Sequence, residues 1–184
     1  PALLDVADPR GIPVVEDAAC ALGAMLDRRP AGGWGRIGCF SFHPRKVITT
    51  GEGGMIATGD AALARRCRAL RNHGLDPDAP APDFILPGLN LRLTEFQGAL
   101  GLTQLEKLDG LVARRREVAG WYGAALRGLG LVLPGALAPE SHTYQSYVVL
   151  LPAARAGGRS TLIARLQAEG IEPNIGTHHL PLDR

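Results

Sequence analysis

The sequence predicts an α/β protein, and three observations carry that reading. Short apolar runs end in acids or glycines, amphipathic stretches lie between them, and turn residues punctuate the joins. The opening PALLDVADPRG reads as the tail of a helix that feeds a strand. Ile12-Pro13-Val14-Val15 is that strand, apolar and partly β-branched, and it is expected to be buried and to stop at Glu16-Asp17. Gly38 to Phe42 is a second strand and Gly54 to Thr58 a third. Gly59-Asp60 then caps the helix AALARRCRALRNHG, which stops at Gly74.

The next stretch, GLDPDAPAPDFILPG from Gly74 to Gly88, carries four prolines and reads as a long loop. Thr94 is placed to cap a strong helical region whose Phe96, Leu100, Leu105, Leu108, Leu111 and Val112 recur mostly at three- and four-residue spacing. Gly110 is expected to divide it into two helices. Beyond it the character changes: Ser146 to Leu151 is a strand, Ser160 caps a helix to Glu169, and Gly170-Ile171 leads toward another strand. The expected division is residues 1–128 in one unit and 129–184 at the start of a smaller α/β domain. Because Pro1 stands where a gene product has Met, and the chain stops in HHLPLDR, the expectation is a central fragment of something longer.

The bulk numbers narrow the function classes. With 184 residues, 46% apolar and 21% charged, the chain resembles an ordinary globular protein, and a core of this size needs neither disulfides nor metal. A net charge of +2 with scattered basic residues lacks the dense stripe of a nucleic-acid binder. No apolar run approaches the ~18 residues of a membrane span, and no signal-peptide pattern opens the chain. Cys20, Cys39 and Cys67 form an odd, widely spaced set without CxxC, which suits a reducing compartment. A cytoplasmic protein is expected, without nucleic acid, membrane or metal.

Two residues invite a chemical reading. A carboxylate directly after a strand, Asp17, falls at the carboxyl edge of the sheet, where open α/β folds place ligands; as an alternative it caps a helix through AACALGA. Lys46, in CFSFHPRKVITTGEGG, can reach the same edge, flanked by Phe40, Phe42, Val47 and Ile48. A lone lysine is usually a solvated charge, and it becomes a nucleophile only when its pKa is lowered by burial or a nearby cation. TTGEGG matches neither GxxxxGK[ST] nor GxGxxG, so either an anion-binding turn or a tight turn before a strand explains its glycines. His73 closes a helix, adjacent His178 and His179 make a poor metal pair, and Arg114-Arg115-Arg116 reads as a solvated helix face or an interface edge.

Taken together, EDAACALGA, GCFSFHPRKVITTGEGGMIATGD, LRNHGL, LNLRLTEFQGALGLTQLEKLD and RRREVAGWY resemble the DegT/DnrJ/EryC1/StrS sugar aminotransferases. The resemblance spans nearly the whole chain, and its SFHPRK…TTGEGG block is highly specific. It implies a fold-type I pyridoxal-phosphate transferase: the C-terminal part of the large domain, then the start of the smaller one. It further implies that Lys46 forms a Schiff base with pyridoxal 5′-phosphate and that Asp17 faces the pyridine nitrogen. Ser41 would contact the cofactor phosphate, and Asn90 the phosphate in a neighbouring subunit, hence a homodimer with shared sites. Cys20 stands where the family carries Gln or His near the ring 3-hydroxyl, and a thiol is a weaker hydrogen-bonding group. The implied reaction moves an amino group from glutamate or glutamine to a keto group of a nucleotide-activated sugar. Relatives that remove a hydroxyl replace the lysine with histidine, and Lys46 argues against that branch. The family's earlier Gly-Thr phosphate loop and ring-stacking aromatic have no counterpart here, so a non-catalytic remnant is the second hypothesis. An unrelated anion-binding module ranks third, because it leaves Asp17, Lys46 and Asn90 unexplained.

Overall fold

The computed structural model describes residues 1–135 and 142–176. Among them lie five strands, β1 (Val15–Asp17), β2 (Met25–Leu26), β3 (Arg29–Pro30), β4 (Ile37–Ser41) and β5 (Gly54–Ala57). The α-helices are α1 (Ala2–Ala7), α2 (Ala61–Leu70), α3 (Glu95–Leu105), α4 (Leu108–Ala125) and α5 (Arg159–Ala168). The main sheet runs β1-β4-β5. Strand β1 lies parallel to β4, with Val15 opposite Ile37 and Asp17 opposite Cys39. Strand β5 returns antiparallel, with Ser41 opposite Gly54. The carboxyl ends of β1 and β4 therefore share one edge, and the β4–β5 connection loops over it.

The first strand begins later than the apolar run suggested and includes both acids. It is not buried: Ile12 is 54% and Val15 60% exposed, because β1 pairs only with β4 among the described residues. Strands β2 and β3 form a hairpin that the sequence conceals. Its turn residues Asp27 and Arg28 have φ of 48° and 61°, so it takes a left-handed turn without the glycine that normally announces one.

Helix α2 starts as expected, with the Asp60 carboxylate accepting from the N–H groups of Ala62 (2.9 Å) and Leu63 (3.1 Å). It ends at Leu70, before Gly74. Thr94 caps α3 reciprocally: its hydroxyl accepts from Gln97 N–H, while Gln97 Oε1 accepts from Thr94 N–H at 2.9 Å. Thr94→Ala is expected to lower unfolding stability by about 1 kcal/mol in urea titration, with Thr94→Ser retaining most of it. The break in the long helical region falls at Glu106-Lys107, not at Gly110, which sits inside the first turn of α4. There the chain tightens, Lys107 N–H donating to Gln104 O at 3.1 Å.

The core is small and lies between the β4–β5 connection and α4. Val47, Ile48 and Val112 are buried, with Leu22, Phe42 and Leu108 packed against them. Much of the α3 stripe faces outward, Phe96 being 90% exposed and Leu105 50%. Past α4, the expected strand Ser146–Leu151 reduces to a single bridge between Val132 and Leu150, since no neighbouring residues continue the ladder. Gly158, not Ser160, occupies the N-cap of α5, and Ser160 lies within its first turn. Residues 171–175 are irregular rather than a strand. No helix among the described residues is long and apolar enough to cross a membrane.

Candidate active site

Four of the five residues singled out converge on the carboxyl edge of β1 and β4. Asp17 ends β1 opposite Cys39, and Cys20 follows three residues on. Ser41 ends β4, and Lys46 follows in the loop above it. The two loops meet side chain to side chain, with Lys46 Nζ donating to Cys20 Sγ at 2.9 Å. Lys46 is half-buried, while Asp17 and Cys20 are exposed.

The loop that carries Lys46 is held from several directions. Phe42 N–H donates to Gly53 O (2.9 Å), and Phe42 O accepts from Thr50 N–H (3.1 Å) and the Thr49 hydroxyl (2.8 Å). From α3, Gln97 Nε2 donates to Glu52 O at 2.8 Å. The buried Val47 and Ile48 anchor the residues immediately after the lysine. The backbone is thus fixed while the amine projects to the sheet edge.

These contacts support the tight-turn reading of TTGEGG. Gly51 and Gly53 have φ of +81° and +149°, and a Cβ on Gly53 would stand 2.6 Å from Thr50 Oγ1 and 2.8 Å from Leu93 Cδ1. The Gly51 N–H is used internally, donating to Thr49 Oγ1 at 2.9 Å.

Asp17 does not cap a helix. Irregular turns follow it, and Oδ1 accepts from Ala19 N–H at 3.1 Å. Ser41 Oγ accepts from His43 N–H at 3.3 Å, which leaves its own O–H to donate. Asn90 stands apart. It is exposed and lies in a bridge with Asn72, and among the described residues no contact joins it to Asp17, Ser41 or Lys46.

Two features escaped sequence reasoning. Glu16, read only as the end of a strand, accepts from the N–H groups of Gly32 (2.8 Å), Trp34 (2.6 Å) and Gly35 (2.6 Å). Burial raises its pKa, but these three bonds and the nearby Arg29 outweigh that and hold the carboxyl below its ordinary value. The available signal was AGGWG, a glycine-rich turn with several amides to satisfy. The arginine run is also not simply solvated. Arg115 Nη1 donates to the carbonyls of Tyr144 (3.1 Å) and Gln145 (3.4 Å), and Arg116 Nε to that of His142 (2.9 Å). The segment so clasped sends Gln145 Nε2 to Arg45 O, at 2.5 Å, beside Lys46. His73 is exposed with φ of 59°, its N–H donating to Leu89 O at 2.9 Å. His178 and His179 lie outside the described residues. No cluster of metal-ligating side chains occurs among the described residues.

An amine able to condense with an aldehyde, a carboxylate to hold a ring N–H and a hydroxyl to meet a phosphate stand on one sheet edge. That donor set fits pyridoxal phosphate. The chain belongs to the DegT/DnrJ/EryC1/StrS aminotransferase family, whose profile matches residues 1–181. It is 41% identical over 172 residues to a GDP-perosamine synthase of Caulobacter vibrioides, covering 92% of this chain and 46% of that protein. It is 38% identical over 176 residues to a UDP-N-acetyl-3-dehydro-α-D-glucosamine 3-aminotransferase of Acidithiobacillus ferrooxidans, covering 95% and 46%. Among solved structures, Helicobacter pylori PseC, an aminotransferase involved in pseudoaminic acid biosynthesis, superposes with a TM-score of 0.92 at 26% identity. That match covers all of this chain and 50% of PseC. The fold is that of the pyridoxal-phosphate-dependent aminotransferases, and the chain spans about half the length of the curated relatives it matches.

Proposed function

We propose that this chain is the lysine-bearing part of an enzyme that moves an amino group from glutamate or glutamine to a keto group of a nucleotide-linked sugar. The observation that carries the reading is the Lys46 amine, projecting from a pinned loop to the sheet edge that Asp17 and Ser41 share. Support for the sugar comes from the two relatives, whose names specify nucleotide sugars.

Each side chain has a distinct task. Lys46 would hold the cofactor through Nζ and, when an incoming amine takes its place, would carry a proton at that nitrogen. Asp17 uses its second carboxylate oxygen to hold a ring N–H. Ser41 donates its hydroxyl to phosphate, and Cys20 holds the lysine amine when it is free. Pyridoxal phosphate, once bound, supplies the electron sink that makes loss of a proton from the donor's α-carbon feasible. Asn90 serves a neighbouring subunit in a homodimer, a role suited to its exposed position between the exposed Leu89 and Leu91. The division into residues 1–128 and 129–184 belongs to this reading, with Gly128 and Gly130, at φ of +82° and +73°, forming the joint.

A second reading, a remnant that folds or pairs without cofactor, draws on the small core and the exposed α3 stripe. An absorbance scan with added pyridoxal phosphate separates the two. The expected result is a visible band that borohydride removes and that Lys46→Ala lacks entirely. A scan without a Lys46-dependent band would assign the chain to the second reading.

A further inference from the structure

Beyond the tasks given to them above, Lys46 and Cys20 are placed for a reaction with each other that amino transfer does not include. The nitrogen lies 2.9 Å from the sulfur, already in contact, and Cys20 is exposed to solvent. Cys39 and Cys67 are only half-exposed, and among the described residues no lysine hydrogen-bonds to either. The sequence has two lysines, Lys46 and Lys107, so the pairing is not a consequence of abundance.

We propose that Cys20 and Lys46 constitute an oxidative modification site, closed by a peroxide into a covalent sulfur–nitrogen bridge. In the first step hydrogen peroxide takes the Cys20 thiol to a sulfenic acid. The sulfur forms a bond to one peroxide oxygen, the O–O bond breaks, and water leaves. In the second step the Lys46 nitrogen attacks that sulfur, the S–O bond breaks, the hydroxyl departs as water with a proton from nitrogen, and a sulfenamide remains. Thiol and amine together lose two hydrogens, and the peroxide is the sole oxidant consumed. An external dithiol reverses the bridge by attacking the same sulfur, returning the amine and the thiol.

Three features favour ring closure over further oxidation. The amine is held against the sulfur before any oxidant arrives, so the second step is intramolecular. The Lys46 backbone is pinned on both sides, which fixes the point from which its side chain reaches the sulfur. The thiol's exposure admits peroxide directly. The cross-link itself needs no cofactor. Its consequence rests on the function proposed above: a lysine joined to sulfur cannot join a carbonyl, so the chain is held out of use until it is reduced.

The test treats the cofactor-free chain with hydrogen peroxide and follows intact mass and tryptic peptides, beside Lys46→Met and Cys20→Ser. Wild type is expected to lose the mass of two hydrogens, to yield a linked peptide pair containing Cys20 and Lys46, and to regain both on dithiothreitol. Lys46→Met is expected to gain oxygen at Cys20 instead, trapped by dimedone, and Cys20→Ser to do neither. The same two-hydrogen loss in Lys46→Met would identify a disulfide and overturn the proposal. So would wild-type peptides in which Cys20 carries only added oxygen. That last readout uses the unaltered protein, so it stands even if a variant misfolds. Because no pyridoxal phosphate is present, the result is independent of whether the chain binds it.

Discussion

Glu16→Ala is expected to destabilise the fold by about 3 kcal/mol, read from urea unfolding. Removing the carboxylate leaves three inward-facing amides, Gly32, Trp34 and Gly35, without their acceptor, and each such loss costs about 1–3 kcal/mol before water or relaxation compensates. Glu16→Gln should recover only part, because its amide nitrogen presents hydrogens to donors. The same site gives the stability a pH dependence. Its folded pKa is depressed, so the contribution is complete above the ordinary value of 4.5 and is lost as pH falls from there through the lower folded value. Wild type should therefore lose stability more steeply than Glu16→Gln below that pH. Parallel curves would show that Glu16 does not carry the difference.

Gly74→Ala is the second large effect, also expected near 3 kcal/mol or above. Its φ is +84°, a conformation that costs an L-residue about 1–2 kcal/mol. A Cβ there would also stand 1.7 Å from Leu86 O, an overlap that only backbone movement relieves. Gly74 is buried, its N–H donates to Ala69 O at the end of α2, and its carbonyl accepts from Ile85 N–H. Displacing it should open the proline-rich loop and release the Asn72–Asn90 bridge. Faster proteolytic cleavage between residues 74 and 88, with α2 intact by circular dichroism, is the expected signature. Unchanged cleavage would mean the loop is held elsewhere.

The sequence made the order of elements legible because each begins or ends on a residue with local chemistry. Asp60 and Thr94 cap their helices through their own side chains, and the glycines of TTGEGG close the turn before β5. The placement of Asp17 and Lys46 at one sheet edge could be anticipated for the same reason, since strand ends fix where side chains emerge, whereas Ser41 and Cys20 entered only through the family resemblance. What could not be read depends on distant backbone. Glu16 gains its role from amides sixteen to nineteen residues away. Arg115 and Arg116 find carbonyls beyond residue 140, and a run of like charges gives no sign of such partners. The α3 stripe had the right period for packing, yet periodicity states that a face is apolar and not what covers it.

The proximity of Lys46 to Val47 and Ile48 has a bearing on how such a protein tolerates change. The residues that bury the most complete part of the core follow Lys46 without an intervening position. A substitution that repacks Val47 or Ile48 displaces the backbone from which the amine springs, so under the proposed function gains in packing and losses in chemistry would be inherited together. In a directed-evolution experiment, stabilising changes that preserve activity should accumulate at the far side of that core, around Leu108 and Val112, and remain rare beside the lysine.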